Sequence, residues 1–344
     1  MNLLRPLAAA LLAIATVASA HAQDRVLNLY SARHYQTDEA LYENFTQATG
    51  IRIHRVDADD AGILARLKAE GASSPADVIL LVDAARLWRG EQEGLFQPVK
   101  SSLLEARVPA QFRGGVSPQG AQWWGMSTRA RVIVYDKARF KPGDVDSYEK
   151  LAGPAFKGQF CVRSGSHPYN LSLFGSLLEH LGPAATEAWL KGLVSNMARS
   201  PKGGDTDQIK AVASGECGVA LTNTYYFARL MRSNKPEDRA IVEKVGVMFP
   251  NQASWGTHVN IAGAAVAKNA KNRDAAVKFL EYLASDAAQK YFADGNNEYP
   301  IVPGAAINEA LRALGSFRAE TVPIAKVGAN TPLVQQMLDR AGFR

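Results

Sequence analysis

Residues 26–82 read VLNLYSARHYQTDEALYENFTQATGIRIHRVDADDAGILARLKAEGASSPADVILLV, and this stretch decides the fold class. It opens on an apolar run, 26–30, with strand propensity. Residues 37–48 then predict a helix: Thr37 stands where a cap belongs, Leu41 and Phe45 are spaced i, i+4, and Gly50 supplies a stop. A second strand is expected over 51–56, where apolar and polar residues alternate. An amphipathic helix follows over 60–70, with Ile63, Leu64 and Leu67 on one face and Gly71 beyond it. The continuous apolar run 76–82 suits a strand buried on both faces, and 84–93 predicts a further helix. Strand and helix alternate, which points to an α/β architecture with a doubly wound unit at its start.

Further along, 129–135 (RARVIVY) is a strand rich in β-branched residues, and a looser region runs past Gly143 to Pro154. A second series begins at Gln159. It comprises a strand over 160–163, helices over 170–181 and 205–214, a strand over 219–222, and a helix over 225–232. Strands over 245–249 and 259–267 and a helix over 272–284 complete it. No repeat, low-complexity tract or long linker separates the two series, so two lobes joined by crossing strands are expected. The length of 344 residues fits two domains of about 150. With 47% hydrophobic and 21% charged residues, a disordered, collagenous or coiled-coil chain is excluded. The formal net charge of +6 is scattered without a basic run, so it reads as solvated surface and no nucleic-acid partner is expected.

Residues 1–22 carry the pattern of a secretory signal. Arg5 is their only charge, 7–17 are apolar, and Ala20-His21-Ala22 offers cleavage after Ala20 or Ala22. The apolar run is too short for a bilayer, which needs about 20 residues. An exported, soluble product is expected. In an oxidising compartment the two cysteines, Cys161 and Cys217, predict a disulfide, stabilising by roughly 4 kcal/mol in the chain-entropy model. Neither lies in a CxxC or beside a histidine, which argues against zinc.

The familiar catalytic signatures HExxH, GxSxG, GxxxxGK[ST] and strand-linked GxGxxG are missing, and no enzyme is expected. Tyrosine placement is more informative. Tyr35 follows strand 26–30, Tyr169 follows strand 160–163, and Tyr225 and Tyr226 follow strand 219–222, each just where a helix begins. In open α/β sheets those junctions face the ligand crevice. Converging phenol oxygens suit a hard, highly charged cation, whereas calcium or magnesium would call for carboxylates. A free phenol titrates near pH 10, so a trivalent ion such as ferric iron must drive off its proton. Adjacent tyrosines diverge in a strand or regular helix, so Tyr225 and Tyr226 reach one ion only at an irregular junction. Tyr30, Tyr42, Tyr135, Tyr148, Tyr282, Tyr291 and Tyr299 are read as core or surface.

These features resemble the periplasmic ferric-ion-binding proteins, substrate-binding components of iron(III) ABC transporters, of the tyrosine-rich type. The resemblance runs through 27–51, 74–88 (SPADVILLVDAARLW), 127–136, 161–173 (CVRSGSHPYNLSL), 203–230 (ending VALTNTYYFARL) and 335–343. It implies a two-lobed class II periplasmic binding-protein fold with two crossing hinge strands and a central cleft. The implied lobes are 23–128 with 255–310, and 129–254 with 311–344. The implied metal residues are His34, Tyr35, Tyr169, Tyr225 and Tyr226. His34 is left open between direct ligation, a hydrogen bond from outside the metal's contact shell, and solvation. Arg129 is the implied partner of an accompanying anion such as carbonate, with Arg131 as the alternative. Asp57, Asp59 and Asp60 stay unassigned. A periplasmic monomer that closes on iron and meets an inner-membrane ABC permease follows from the same resemblance. Two other readings remain. One is the same fold for thiamine, a polyamine or a phosphonate, walled by Trp123, Trp124 and Trp255; the other is a hydrolase using His167 or His258.

Overall fold

The structure, a computed structural model, describes residues 26–33 and 37–343. The chain opens with β1 (Val26–Ser31), α1 (Asp38–Thr49), β2 (Arg52–Asp57), α2 (Asp60–Glu70), β3 (Val78–Leu81) and α3 (Ala84–Gln92). Next come β4 (Phe96–Gln97), α4 (Ser102–Arg107), β5 (Arg113–Gly114) and the long β6 (Trp123–Asp136). The second series holds β7 (Phe160–Cys161), α5 (Pro168–Leu181), α6 (Pro183–Ser195), α7 (Asp205–Ala213), β8 (Val219–Asn223), α8 (Thr224–Met231), α9 (Pro236–Lys244) and β9 (Val245–Met248). Finally β10 (Val259–Ala267), α10 (Arg273–Leu283), α11 (Asp286–Asn296), β11 (Tyr299–Pro300), α12 (Glu309–Ala313), α13 (Ile324–Ala329) and α14 (Thr331–Ala341) close the chain.

The strands follow the order β2-β1-β3-β10-β6-β8-β7. β1 runs parallel to β2 and β3, β10 is antiparallel to β3 and β6, and β7 runs parallel to β8. β6 crosses the molecule. Its first half pairs with β10, from Trp124 opposite Ala264 to Ala130 opposite Val259; its second half pairs with β8, from Arg131 opposite Asn223 to Tyr135 opposite Val219. The two halves serve different cores. Leu27, Leu29, Phe45, Ile79, Trp123 and Phe279 gather in one group. Ile133, Phe160, Phe174, Trp189 and Leu221 form another, while Val132, Val134, Ile209, Ala220 and Phe227 fill the opposite face of the same strands. Strand side chains alternate faces, so an uninterrupted run of apolar residues along β6 serves both. Each fully buried large side chain contributes about 1.5–3 kcal/mol. α13 packs against both α3 and α5.

Several local expectations shift. Gly50 ends α1 in the left-handed region at φ 69°, where glycine is favoured. Thr37 precedes α1 in a helical conformation and makes no side-chain cap; its hydroxyl bonds Asn296 instead. β6 starts six residues before the predicted Arg129, because its pairing with β10 carries Gly125, Ser127 and Thr128 as strand. β7 ends at Cys161, short of Arg163. The disulfide joins Cys161 to Cys217, which sits in the turn before β8 and not within a strand. It pins together the two segments whose ends lead into α5 and α8. Residues 1–22, the expected signal, lie outside the described residues, and among those described no helix is long and apolar enough to cross a membrane.

Candidate functional site

Three phenols meet where β7 and β8 give way to helices. His167 caps α5, its Nδ1 accepting from the Tyr169 backbone N–H at 3.3 Å, with Pro168 at the first helical position and Tyr169 next. On α8, Asn223 is the cap residue, and Tyr225 and Tyr226 fall in the first turn. The Tyr169 and Tyr225 hydroxyls stand 3.1 Å apart, and the Tyr225 and Tyr226 rings stack with centroids 4.2 Å apart. Tyr225 is buried while Tyr169 and Tyr226 keep partial access to solvent. The irregular junction needed for adjacent tyrosines to work together is thus a helix first turn.

Guanidinium groups surround these phenols. Arg129 and Arg163 lie over the Tyr169 ring at 5.3 and 5.0 Å, and Arg229 lies 5.6 Å from the Tyr226 centroid. Arg129 is 2% exposed and donates to the Val82 carbonyl at the end of β3, so it reaches across from the crossing strand to the first series. Burial alone would depress its pKa, but Tyr169 and Tyr225, with Glu298 and Asp83, hold it above the ordinary value. Burial pushes the Tyr169 phenol up to about 12 against the pull of Arg129. The phenol is therefore neutral at pH 7, and a cation must displace its proton to bind. Among the described residues no group of three or more His, Cys, Asp or Glu is placed to hold a metal ion. Hard oxygen donors here come from tyrosine.

The remaining candidates separate clearly. His34 and Tyr35 lie outside the described residues. Their flank is tightly held: Arg33 pairs with Asp38 at 2.8 Å and with Glu298 at 3.0 Å, all three buried. Arg131, the alternative anion partner, is paired with Asp205 at 2.5 Å and bonds the side chains of Asn170 and Asn223. Asp57 pairs with Arg55, and Asp59 caps α2 through the Gly62 N–H. Asp60 accepts from the Val82 N–H at 2.8 Å, and burial pushes its carboxyl up to about 6. A cavity of about 360 Å³ opens between α3, at Arg86 and Trp88, and the start of α5, at Pro168 and Leu171.

The residues of the rival readings are engaged elsewhere or in structural roles. Trp123 and Trp124 are 0% and 1% exposed within the first core, and Trp255 is sandwiched between Tyr148 and His180. Burial, then Arg163, Arg131 and Arg129, pulls His167 down to about 3, leaving a neutral ring occupied as a helix cap. His258 does bond Ser172 Oγ through Nε2 at 2.8 Å and Glu320 through Nδ1, in the order of a catalytic triad. All three residues are 1–3% exposed, so no substrate reaches the hydroxyl.

What sequence reading missed is the support of the site: the buried Asn170, Asp205 and Asn223, the half-buried Arg163, and the pairing of Arg131 with Asp205. The signal was present in RARVIVY, since two arginines inside an apolar strand require buried partners.

Residues 40–317 match the family model described as bacterial extracellular solute-binding protein, and the chain belongs to that family. Within it, the chain is 47% identical to iron uptake protein A1 of Synechocystis, over 96% of this chain and 91% of the relative. A solved structure of a Trichodesmium protein (IdiA, FutA) in complex with iron and citrate superposes with a TM-score of 0.88 at 48% identity, over 93% of this chain and all of that one. The ferric binding protein from Campylobacter jejuni gives 0.86 at 37% identity, over 92% and 100%. These two-lobed binding proteins share the fold described above.

Proposed function

We propose that this chain binds ferric iron in the cleft between its lobes and delivers it to an ABC permease, acting as a periplasmic binding protein and not as an enzyme. The observation that carries this reading is the meeting of the Tyr169, Tyr225 and Tyr226 phenols under Arg129, Arg163 and Arg229. Three phenolates balance a trivalent charge, and the guanidinium groups favour the deprotonated rings. His34 and Tyr35 complete the proposed ligand set from the other lobe. Arg129, which lies over the Tyr169 ring and has a buried Nε without a partner among the described residues, is the proposed partner of an accompanying anion such as carbonate. The iron uptake and ferric-binding relatives support the cargo, and the relative in complex with iron and citrate supports an oxygen-rich coordination.

The proposed lobes are 23–128 with 255–310, and 129–254 with 311–344. The core groups on either side of the β6 midpoint support this division, with α13 packed on the first lobe as well. Ferric iron held by one lobe draws the other closed, because closure adds contacts available only in the closed state. The chain works as an exported monomer after removal of residues 1–22. The test is the visible spectrum of metal-free protein on adding ferric citrate. Phenolate-to-iron charge transfer should produce a coloured band, and a colourless mixture would overturn the reading.

A further inference from the structure

The phenols sit on two separate helices, so something must fix one helix start against the other. A buried ion pair does so. Arg131 on β6 donates from Nη1 to Asp205 at 2.5 Å and to the Asn223 side-chain oxygen at 3.1 Å, and from Nη2 to the Asn170 side-chain oxygen at 2.8 Å. Asp205 also accepts the Asn223 backbone N–H at 2.8 Å and an Arg163 Nη1 at 3.3 Å. Asn170 in turn donates to the carbonyls of Arg163 and Ser164, fixing the loop that enters α5. Asn170 precedes no other residue of the site but follows Tyr169 directly, and Asn223 stands two residues before Tyr225. Asp205, Asn170, Arg131 and Asn223 are all at most 2% exposed.

A buried ion pair is weak evidence for stability, since well-packed apolar residues often do as well. What it supplies is direction: each partner accepts or donates along fixed lines. Both Asp205 oxygens accept from protein donors, which fixes the carboxylate between the two helix starts. We propose that Asp205, acting through Arg131, is the positioning residue that sets the spacing of the Tyr169, Tyr225 and Tyr226 oxygens for ferric iron. This rests on the ferric reading above. Outer partners of metal ligands typically alter affinity by about 10–100-fold when lost.

The test uses the full mature chain, ferric citrate as probe, and three variants. Asp205→Asn should weaken ferric binding about 10–100-fold and shift the charge-transfer band. Asn170→Ala leaves the ion pair in place and frees only α5; it should shift the band in the same direction with a smaller loss, and it decides the matter should Asp205→Asn not fold. Glu320→Gln removes an equally buried charge away from the phenols and should lower the melting temperature with the band unmoved. A band and affinity in Asp205→Asn or Asn170→Ala that match wild type, or change only as in Glu320→Gln, would overturn the proposal. Absence of any band in wild type would instead overturn the ferric reading and this inference with it.

Discussion

Helix α5 carries two buried polar groupings that behave in opposite ways. At its first turn, the Tyr169 hydroxyl faces another phenol, with the Arg129 and Arg163 guanidinium groups over its ring. One, two and three turns further, Ser172, Ser176 and His180 close on Glu320 and His258, where the carboxylate accepts from Ser176, His180 and His258. Both groupings look like chemistry in a list of residue types. The second is saturated: every strong donor has found its acceptor, and it ties α5 to the start of β10 at the crossing between the lobes. The first brings phenol oxygens together beside guanidinium groups. A buried polar cluster with its hydrogen bonds complete is a structural joint, whereas phenols gathered beside guanidinium groups suit a cation that takes the place of their protons.

The largest effect that could break this contrast is loss of the phenols. Tyr225→Phe or Tyr226→Phe should reduce ferric affinity by more than the about 10–100-fold expected of outer partners, measured by competition with citrate, while leaving the melting temperature close to wild type. Glu320→Ala should do the reverse. Stranding His258 and His180 in the joint should cost about 3–5 kcal/mol of stability by urea unfolding, with little change in iron affinity per folded molecule. Tyr148→Phe is a milder case. Its hydroxyl bonds the Arg131 carbonyl and the His258 N–H inside the joint, so its loss should cost about 1–3 kcal/mol of stability and spare iron binding.

Acid should separate the two groupings along the pH axis. Burial alone would raise the Glu320 carboxyl, but His258, His180 and Ser176 hold it down to about 2, below its ordinary 4.5. The unfolded chain therefore takes up this proton first. The contribution of Glu320 is complete above about pH 4.5 and is lost as pH falls toward 2. The phenols regain protons far more readily, given a metal-free Tyr169 pKa of about 12. Visible absorbance should fade on acidification before far-ultraviolet circular dichroism reports unfolding. Coincident losses would show that iron leaves only when the joint does.

Much of this was legible in the chain because it is local. Helix α2 and strand β10 have the bounds that periodicity and the flanking glycine imply, and the tyrosine junctions follow from strand, loop and helix in succession. The parts that were not legible depend on partners far away in sequence. Helices α6 and α14 and the short α12 and α13 find their places by packing, and the first half of β6 is held as strand by pairing with β10, β11 and β5. Asp205 reads as an ordinary residue at the start of a helix; its role depends on Arg131, 74 positions away. Tyr169 and Arg129 could be located from sequence, but the pairing of Asp205 with Arg131 could not.

The most direct measurement is anomalous diffraction at the iron absorption edge from crystals of the ferric-loaded protein. The account predicts one strong peak within bonding distance of the hydroxyl oxygens of Tyr169, Tyr225 and Tyr226. A peak at any other site, with none of these three hydroxyls within bonding distance of the metal, would contradict it.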